Sequence, residues 1–497
     1  MCYNYIVHLF AFSLKTDGIL LMVFSALFFL FFFFVICMAL VYTRKTLRGQ
    51  NAVLLVFSLI FYAWSGPVLL LLLCAMTFIC WLAGRVLGSV RTLFYRRVVL
   101  FMTVAACVLI FGFFKYSDFL AGTLQAIFRF DAVLPDIILP IGISFYTFQL
   151  LSYVIDVYRE ETEPQRNYLT LLLYAALFHQ CVAGPIVRYS DICAELQNRT
   201  VRLSDISAGI TRFSLGLAKK AILANYCGSL ADAALSTEAL AGASSGTVFL
   251  GTVFYMLQIY LDFSAYSDMA IGMGLMCGLH YCENFNYPYC ADSVTDFWRR
   301  WHISLSTFFR DYVYIPLGGN RRGRQRQILN MLVVWLLTGL WHGASWNYVL
   351  WGLYYFVLLA GEKLLVHKPY GELPLWRKLL RRCGVLAAVW FGWMLFYFED
   401  LSQLGSAIAC LFFRHGFWDL TARLTLLNNL FFLAVAIAAC TPILPLVTRK
   451  VREAAKQTPA WQGLVNAVSV VSPVALLFFS FLSLVGNTYN PFLYFQF

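Results

Sequence analysis

The sequence contains few charged residues for its length. Asp, Glu, Lys and Arg make up 12% of its 497 residues, whereas they make up about 25% of soluble domains. Hydrophobic residues account for 61% and aromatic residues for 18%. Apolar segments long enough to cross a bilayer recur along the chain. This composition excludes a soluble globular protein and predicts an all-α, polytopic integral membrane protein.

Several familiar site patterns are also absent. The 14 cysteines include no Cys-x-x-Cys pair, and Cys277, Cys282 and Cys290 lack the spacing of zinc ligands. The sequence has no glycine-rich nucleotide loop and no Gly-x-Ser-x-Gly motif of serine hydrolases. We therefore predict no metal site and no bound cofactor, and we interpret the cysteines as small buried hydrophobic residues.

The basic residues are concentrated in short segments between the apolar ones, although the formal net charge is +12. Segments of this kind mark the cytoplasmic side of a membrane protein. The charge therefore predicts orientation, and no nucleic-acid partner is needed to explain it. The segments predicted to face the cytoplasm are residues 43–50, 85–97, 321–327, 367–382 and 449–456.

The apolar pattern predicts roughly 11 to 13 helical segments that cross the bilayer or re-enter it. Whether residues 168–187 span the membrane or re-enter it stays open, and with it the topology through residue 320. Residues 203–226 predict an amphipathic helix that lies in the cytoplasmic interface. The basic residues on one side of that helix are Arg212, Lys219 and Lys220.

Two consecutive segments, residues 296–320 and 330–356, concentrate polar chemistry among apolar residues. The second carries His342 within an otherwise uncharged run, in the sequence Leu-Trp-His-Gly-Ala-Ser-Trp. Small residues after His342 permit a close backbone or substrate approach, and Trp341 and Trp346 predict a dry aromatic wall. The alternative is a core histidine that hydrogen-bonds to a backbone carbonyl.

The first segment places His302 among several charges. On a helix, Asp296 and Arg300 pair at i, i+4, and Ser306 falls one turn beyond His302. One interpretation is a polar tunnel end, where Arg299 or Arg300 meets a phosphate-bearing donor and His302 assists. The other is an interfacial helix whose charges face water and lipid headgroups.

Two aspartates in residues 247–277 are predicted to be buried. Asp262 and Asp268 could orient either histidine, as carboxylates do in many sites. The alternative is that they pair with arginines and hold helices together.

Five blocks of this sequence together resemble the membrane-bound O-acyltransferase (MBOAT) family, and within it the bacterial alginate O-acetylation branch. The match is strongest between residues 139 and 356, and the last four residues, Tyr-Phe-Gln-Phe, are also similar. The blocks are residues 139–159, 254–274, the sequence Glu-Asn-Phe-Asn-Tyr-Pro-Tyr at 283–289, and residues 296–323 and 335–355.

The resemblance implies many helices around a central funnel or tunnel, with two histidines near its waist. Carried over by position, these are His342 and His302 as catalytic residues. The remaining donor or tunnel candidates are Arg299, Arg300, Asp296, Asp262, Asp268, Trp346 and Asn347. Chains of this branch begin with a pattern that starts here at Met22. We therefore predict one domain over residues 22–497, with a motif core at 247–356, and an N-terminal extension at 1–21.

The activity that the resemblance implies is O-acyl transfer in a bacterial inner membrane. Acetyl would come from a cytoplasmic thioester, acetyl-CoA or an acyl carrier, and would move towards hydroxyls of an exported polysaccharide. Its expected partners are membrane lipid, the acyl donor, an extracytoplasmic acetyl-transfer protein and the polysaccharide.

Two other functions stay open. One is D-alanyl transfer to teichoic acid by the same family, and the other is a non-enzymatic acyl or glycan transporter. A transporter should show paired broken helices in two halves, whereas the ionisable residues here concentrate in residues 255–352.

Overall fold

The structure of the protein, a computed structural model, describes residues 15–16, 19–20, 22–129, 137–181, 184–365, 374–412, 414–486 and 489–491. A two-residue hairpin pairs Lys15–Thr16 with Ile19–Leu20. The helices that follow are α1 (Phe29–Thr43), α2 (Leu47–Ala63), α3 (Pro67–Ser89), α4 (Leu93–Phe128), α5 (Ile143–Tyr158), α6 (Tyr168–Ala176), α7 (Phe178–Cys181), α8 (Tyr189–Gln197), α9 (Leu203–Ala218), α10 (Asn225–Leu235), α11 (Thr237–Leu240), α12 (Ser245–Met276), α13 (Val294–Arg300), α14 (Ile303–Phe309), α15 (Arg324–His342), α16 (Trp346–Leu365), α17 (Leu375–Tyr397), α18 (Leu401–Leu411), α19 (Leu420–Ala439), α20 (Ile443–Ala455) and α21 (Pro459–Gly486).

The predicted all-α, polytopic architecture is confirmed. Seven of the described helices are long and apolar enough to cross a bilayer, and three shorter apolar helices accompany them. The seven are α3, α4, α12, α16, α17, α19 and α21. Residues 168–187 do not form a long helix, because α6 ends at Ala176 and α7 has four residues.

Helix α12 lies at the centre of the protein. In its most apolar stretch of 18 residues, 83% of the residues are buried. In the corresponding stretches of the other six long helices, 33% or fewer are buried. Its closest partner is α9, because glycines let the two backbones meet. A Cβ atom added to Gly209 would lie 2.6 Å from the Gly272 carbonyl oxygen, and one added to Gly216 would lie 2.7 Å from that of Ala265.

The basic side of residues 203–226 was wrongly predicted to face the membrane interface. Lys220 is 1% exposed and pairs with Asp262 at 2.6 Å. Arg212 and Lys219 both pair with Asp268, at 2.7 and 2.5 Å. The basic side therefore faces α12, where buried carboxylates neutralise it. Helix α9 continues through the π-helical turn Lys219–Ala224 into α10.

The basic segments are largely helical and not loops. Arg85 belongs to α3, the first turns of α17 carry Arg377–Arg382, and Arg449 and Arg452 lie on α20. Residues 367–373, most of the predicted extension 1–21 and the ending at 494–497 lie outside the described residues.

Candidate active site

His342 is the last residue of α15, a helix that begins in the basic turn at Arg324. At 1.5 Å per residue its 19 residues are about 28 Å long, so His342 lies at the end remote from the basic turn. The glycine predicted to permit a close approach does so. Gly343, which follows His342 as predicted, packs against the ring of Tyr348. Gly339, which was not part of that prediction, packs against the backbone of Tyr348. This packing fixes the tight connection from α15 to α16.

Aromatic rings surround the His342 imidazole. Ring centroids of Trp341, Trp351 and Phe396 lie 4.9, 5.0 and 5.1 Å from it, all edge to face. His342 is 9% exposed. The predicted aromatic wall therefore exists, but Trp346 is not part of it, because that side chain is 52% exposed and contacts Phe119.

A buried lysine, which sequence reasoning missed, anchors the end of α15. Lys115 of α4 donates hydrogen bonds to the carbonyl oxygens of Trp341 and His342, at 2.5 and 3.2 Å. These carbonyls belong to the last turn of a helix, where they lack partners within the helix and a cation is favoured. Lys115 thus fixes the backbone that carries His342. A single lysine within a long apolar helix is the signal that could have identified it.

The sequence predicted that His302 lies within a helix. In the structure it lies in a non-helical connection between two helices. Helix α13 ends at Arg300 and α14 begins at Ile303, with His302 in the left-handed conformation at φ 44°. This φ is uncommon for a residue with a side chain. Two backbone hydrogen bonds with the segment before α13 hold this conformation: Asn286 N donates to Arg300 O and Ile303 N donates to Asn284 O, each at 3.0 Å.

The Asn284 side chain determines which nitrogen of His302 carries the proton. The Ser304 backbone N–H donates to Asn284 Oδ1 at 3.2 Å, and Asn284 Nδ2 donates to the Gly184 carbonyl at 3.4 Å. Oδ1 is therefore an acceptor, so His302 Nδ1, 3.1 Å away, is the donor. The lone pair is left on Nε2, which is buried and has no hydrogen-bond partner among the described residues.

Trp341 lies between the two histidines. Its ring centroid is 5.6 Å from that of His302 and 4.9 Å from that of His342. Phe263 of α12 closes the other side of His302 at 4.7 Å. The structure therefore brings both predicted histidines together in one buried aromatic chamber.

Three polar atoms of the adjoining aromatic cluster also lack hydrogen-bond partners in the described part of the chain. They are Trp298 Nε1, Trp351 Nε1 and Tyr355 Oη. The Trp351 ring packs against both His342 and Tyr355, at 5.0 and 5.1 Å. Buried polar groups are nearly always hydrogen-bonded in proteins. Donors left unpaired beside His342 are suited to a polar ligand that enters the chamber.

The charged residues before His302 lie at one edge of the protein. Asp296 and Arg300 form the predicted i, i+4 pair at 3.0 Å, while Arg299 is exposed. The N-terminus of α13 is held by Glu362 of α16, which accepts hydrogen bonds from the backbone N–H groups of Val294 and Thr295 at 2.7 and 2.9 Å. This edge is shared with the basic start of α17.

Asp292, just before α13, makes the connection to α17. Arg382 Nε donates to its carboxylate at 2.7 Å, and Arg381 lies 3.4 Å away. The hydrogen bond from Arg382 lowers the pKa of Asp292 below its usual value. The segment that leads to His302 is therefore tied to a predicted cytoplasmic segment.

Three other candidates lie away from the histidine rings. Asp262 and Asp268 pair with the basic residues of α9 and the turn after it, so the interpretation that they hold helices together is the one that the geometry supports. Asn347 is 1% exposed and donates to the carbonyl oxygens of Leu395 and Phe396, at 3.5 and 3.2 Å. It positions the end of α17, which contributes Phe396 to the chamber.

Two cavities open on different sides of the chain. One of 510 Å³ is lined by Arg159, Arg188 and Asp311 and lies near the basic turn at Arg321. The other, of 570 Å³, is lined by residues of α10 to α12, by the end of α17 and the start of α18, and by Tyr489. Among its lining residues are Asp232, Glu238, Gln258, Tyr397, Glu399 and Asp400.

Comparison with known proteins identifies the family. The model of the MBOAT family, membrane-bound O-acyltransferases, matches residues 9–396. The chain belongs to this family. As an MBOAT protein it is a multi-pass membrane protein and an O-acyltransferase.

Curated relatives of this MBOAT protein cover most of its length. "Probable alginate O-acetylase AlgI" of Azotobacter vinelandii is 38% identical, over 96% of this chain and 100% of the relative. The protein of the same name from Pseudomonas aeruginosa is 40% identical, over 80% and 76%. "Peptidoglycan O-acetyltransferase" of Helicobacter pylori is 34% identical, over 64% of each chain.

Proposed function

We propose that this protein moves acetyl groups from a cytoplasmic thioester donor towards hydroxyls of an exported polysaccharide, across a bacterial inner membrane. The observation that carries the proposal is the chamber in which Trp341 separates His302 from His342, with Nε2 of His302 unpaired. Relatives named for O-acetylation of alginate and peptidoglycan are 34–40% identical over 64–96% of this chain. "Teichoic acid D-alanyltransferase" of Bacillus subtilis is 28% identical over 52% of it, which favours acetyl over D-alanyl as the group transferred.

The chemistry needs a base beside the acceptor hydroxyl. The hydroxyl oxygen attacks the thioester carbonyl carbon, so a C–O bond forms and the C–S bond breaks. His342 takes the hydroxyl proton and returns it to the departing thiolate, which leaves as a thiol. The unpaired N–H groups of Trp298 and Trp351 are suited to stabilise the oxyanion that forms between these steps.

His302 has a different role in this mechanism. Because Nδ1 donates to Asn284, Nε2 accepts a hydrogen bond and does not donate one. Acetyl-CoA and acyl-carrier thioesters share a pantetheine arm with amide N–H groups, and such a group fits this acceptor. His302 follows α13, whose N-terminus is tied to the basic start of α17, so it lies towards the donor side. Either donor is consistent with this geometry.

Entry of the donor from the basic side is supported by the 510 Å³ cavity. Arg188 pairs with Asp311 at 2.6 Å, and Arg159 donates to the Asp311 carbonyl oxygen at 3.0 Å. Both arginines also stack on Tyr312, at 5.0 and 5.2 Å. We propose these arginines, in addition to Arg299 and Arg300, as contacts for donor phosphates.

The test supplies labelled acetyl-CoA to membranes and follows the label into glycan by mass spectrometry. His342→Ala should reduce transfer by about 10²–10⁴-fold, which is the usual contribution of a general base. His302→Ala should also be severely impaired. His415→Ala is the matched control, because His415 is exposed and should retain transfer. Near wild-type labelling by His342→Ala at equal protein levels would contradict the proposal.

A further inference from the structure

The 570 Å³ cavity lies at the end of the protein opposite the basic segments. Helix α17 carries Arg381 and Arg382 near its start and leads over 23 residues, about 34 Å, to Tyr397 and Glu399. Helix α12 runs in a consistent direction, because Tyr255 and Gln258 line the cavity whereas Asp268, later in the helix, pairs with Arg212. On the predicted orientation the cavity opens to the extracytoplasmic side.

The cavity is strongly acidic. Four carboxylates line it, those of Asp232, Glu238, Glu399 and Asp400, and no Lys, Arg or His is among the described residues that line it. Tyr397 and Tyr489 donate hydrogen bonds to the two oxygens of Asp232, at 3.1 and 2.6 Å. These neutral donors orient the carboxylate without cancelling its charge.

A second, independent feature indicates that the cavity holds a ligand. Gln258 lines it and is 3% exposed, and its Oε1 atom has no hydrogen-bond partner among the described residues. An amide oxygen so buried normally accepts a hydrogen bond. The carboxylates and the Gln258 oxygen share a need for hydrogen-bond donors, and a donor that also carries a positive charge would neutralise the carboxylates in addition.

A chain of side-chain contacts connects the cavity to the chamber of the histidines. Tyr348 donates a hydrogen bond to Glu399 at 3.2 Å, and its ring packs against Phe396 at 4.9 Å. Phe396 in turn contacts the His342 ring at 5.1 Å. A ligand that binds beside Glu399 is therefore separated from His342 by two aromatic rings.

We propose that this cavity docks a lysine- or arginine-bearing segment of an extracytoplasmic partner protein. The inference rests on the proposed function, because the partner is the one expected to receive acetyl. The acidic lining repels a polyuronate such as alginate, so the polymer itself is excluded from this entrance. An extended peptide places side chains about 3.3 Å apart along its length, so it can bring several cations to four carboxylates. Tyrosine rings beside the carboxylates also favour cations.

The test measures binding to the full-length protein in lipid nanodiscs. The probe is a fluorescent hexapeptide of alternating Lys and Ser, and the comparison peptide has Gln in place of Lys. Glu238→Gln combined with Glu399→Gln should weaken binding of the Lys peptide by about tenfold or more, and raised salt should weaken it too. Glu453→Gln is the matched control, because Glu453 is an exposed acid on α20 that does not line the cavity.

Three results would overturn the proposal. They are equal binding of the Lys and Gln peptides, binding of a glucosamine tetramer in preference to the Lys peptide, and binding of a mannuronate tetramer that matches the Lys peptide. The same peptide-binding measurements on His342→Ala protein separate the docking proposal from the proposed acetyl transfer. Charge-dependent peptide binding without any acetyl transfer by the wild-type protein would refute only the proposed function.

Discussion

At the scale of single residues, the two histidines differ in how their imidazoles are held. The proton of His302 is fixed on Nδ1 by Asn284, and the left-handed backbone points the ring at Trp341. His342 is held by ring contacts and by the anchoring of its backbone carbonyl to Lys115. A base must change its protonation state during each cycle, and a ring held by apolar contacts can do so without breaking a hydrogen bond.

Asn284 provides a prediction about the tautomer of His302. Asn284→Ala removes the acceptor for Nδ1–H, so the proton can move to Nε2 and the lone pair is lost. We expect transfer to fall by about 10²-fold, the lower part of the range for acid–base groups. Asn284→Asp keeps an acceptor at the same position and should retain much of the wild-type rate of transfer. Equal losses of transfer in the two variants at equal thermal stability would contradict this role, because only Asn284→Ala removes the acceptor for Nδ1–H.

At the scale of secondary-structure elements, the pairing of α12 with α9 and its π-helical extension determines the core. Glycines bring the backbones together, and the Lys220–Asp262 pair at 1% and 2% exposure connects them. Lys220 also donates to the carbonyl oxygen of Pro491 and lies 5.8 Å from the Tyr266 ring. The pair thus also ties the end of the chain to the central helix.

This pair leads to a prediction about stability. Lys220→Met leaves the Asp262 carboxylate buried without its cation, which should cost about 3–5 kcal/mol. Lys220→Met combined with Asp262→Leu removes both charges and should recover most of the loss. Thermal unfolding in detergent, followed by light scattering, is the measurement. If the double variant unfolds no later than Lys220→Met alone, then the ion pair is not what couples these helices.

The pattern of the sequence predicted the long helices but not the way in which they meet. Apolar length alone predicts α12 and α21, because that property is local. The basic residues of 203–226 were placed in the interface because their partners, Asp262 and Asp268, lie 42 to 56 residues later in the sequence. The break at His302 was missed for a similar reason. The segment has helical periodicity, and only its hydrogen bonds to Asn284 and with the Asn286 backbone N–H reveal the interruption.

At the scale of the whole molecule, the charges separate into two ends. Basic residues gather at the starts of α15 and α17, and carboxylates line the cavity at the far end of α17. The histidines lie between these ends, with His302 linked to the basic end and His342 adjacent to the acidic cavity. This is the order expected for the proposed transfer from a cytoplasmic donor to an extracytoplasmic acceptor.

Orientation is the first prediction at this scale. Single cysteines on a cysteine-depleted background at positions 44, 322 and 450 should react with an impermeant maleimide only after spheroplasts are permeabilised. A cysteine at position 238 should react in intact spheroplasts, because Glu238 lines the opposite cavity. Labelling of any two of the three basic positions from outside would reverse the orientation.

The N-terminal segment provides the second prediction at this scale. If the domain begins at Met22, deletion of residues 1–21 should leave membrane insertion and acetyl transfer unchanged, because Phe24 and Phe29 already pack into the core from residue 22 onwards. Membrane fractionation and the labelled-acetyl assay measure the two properties. Disappearance of the shortened protein from the membrane would mean that the segment is structural.

The aromatic chamber also has an optical consequence. Trp298 lies 4.8 and 5.4 Å from Trp335 and Trp351, and Trp393 lies 4.7 Å from Trp301. Indole rings so close and so rigidly oriented couple their electronic transitions, which produces strong near-ultraviolet circular dichroism. Trp351 also packs against the His342 ring, so an acyl chain that enters the chamber should disturb this coupled set of indoles. We therefore expect the near-ultraviolet circular dichroism to report donor binding without a label and independently of turnover.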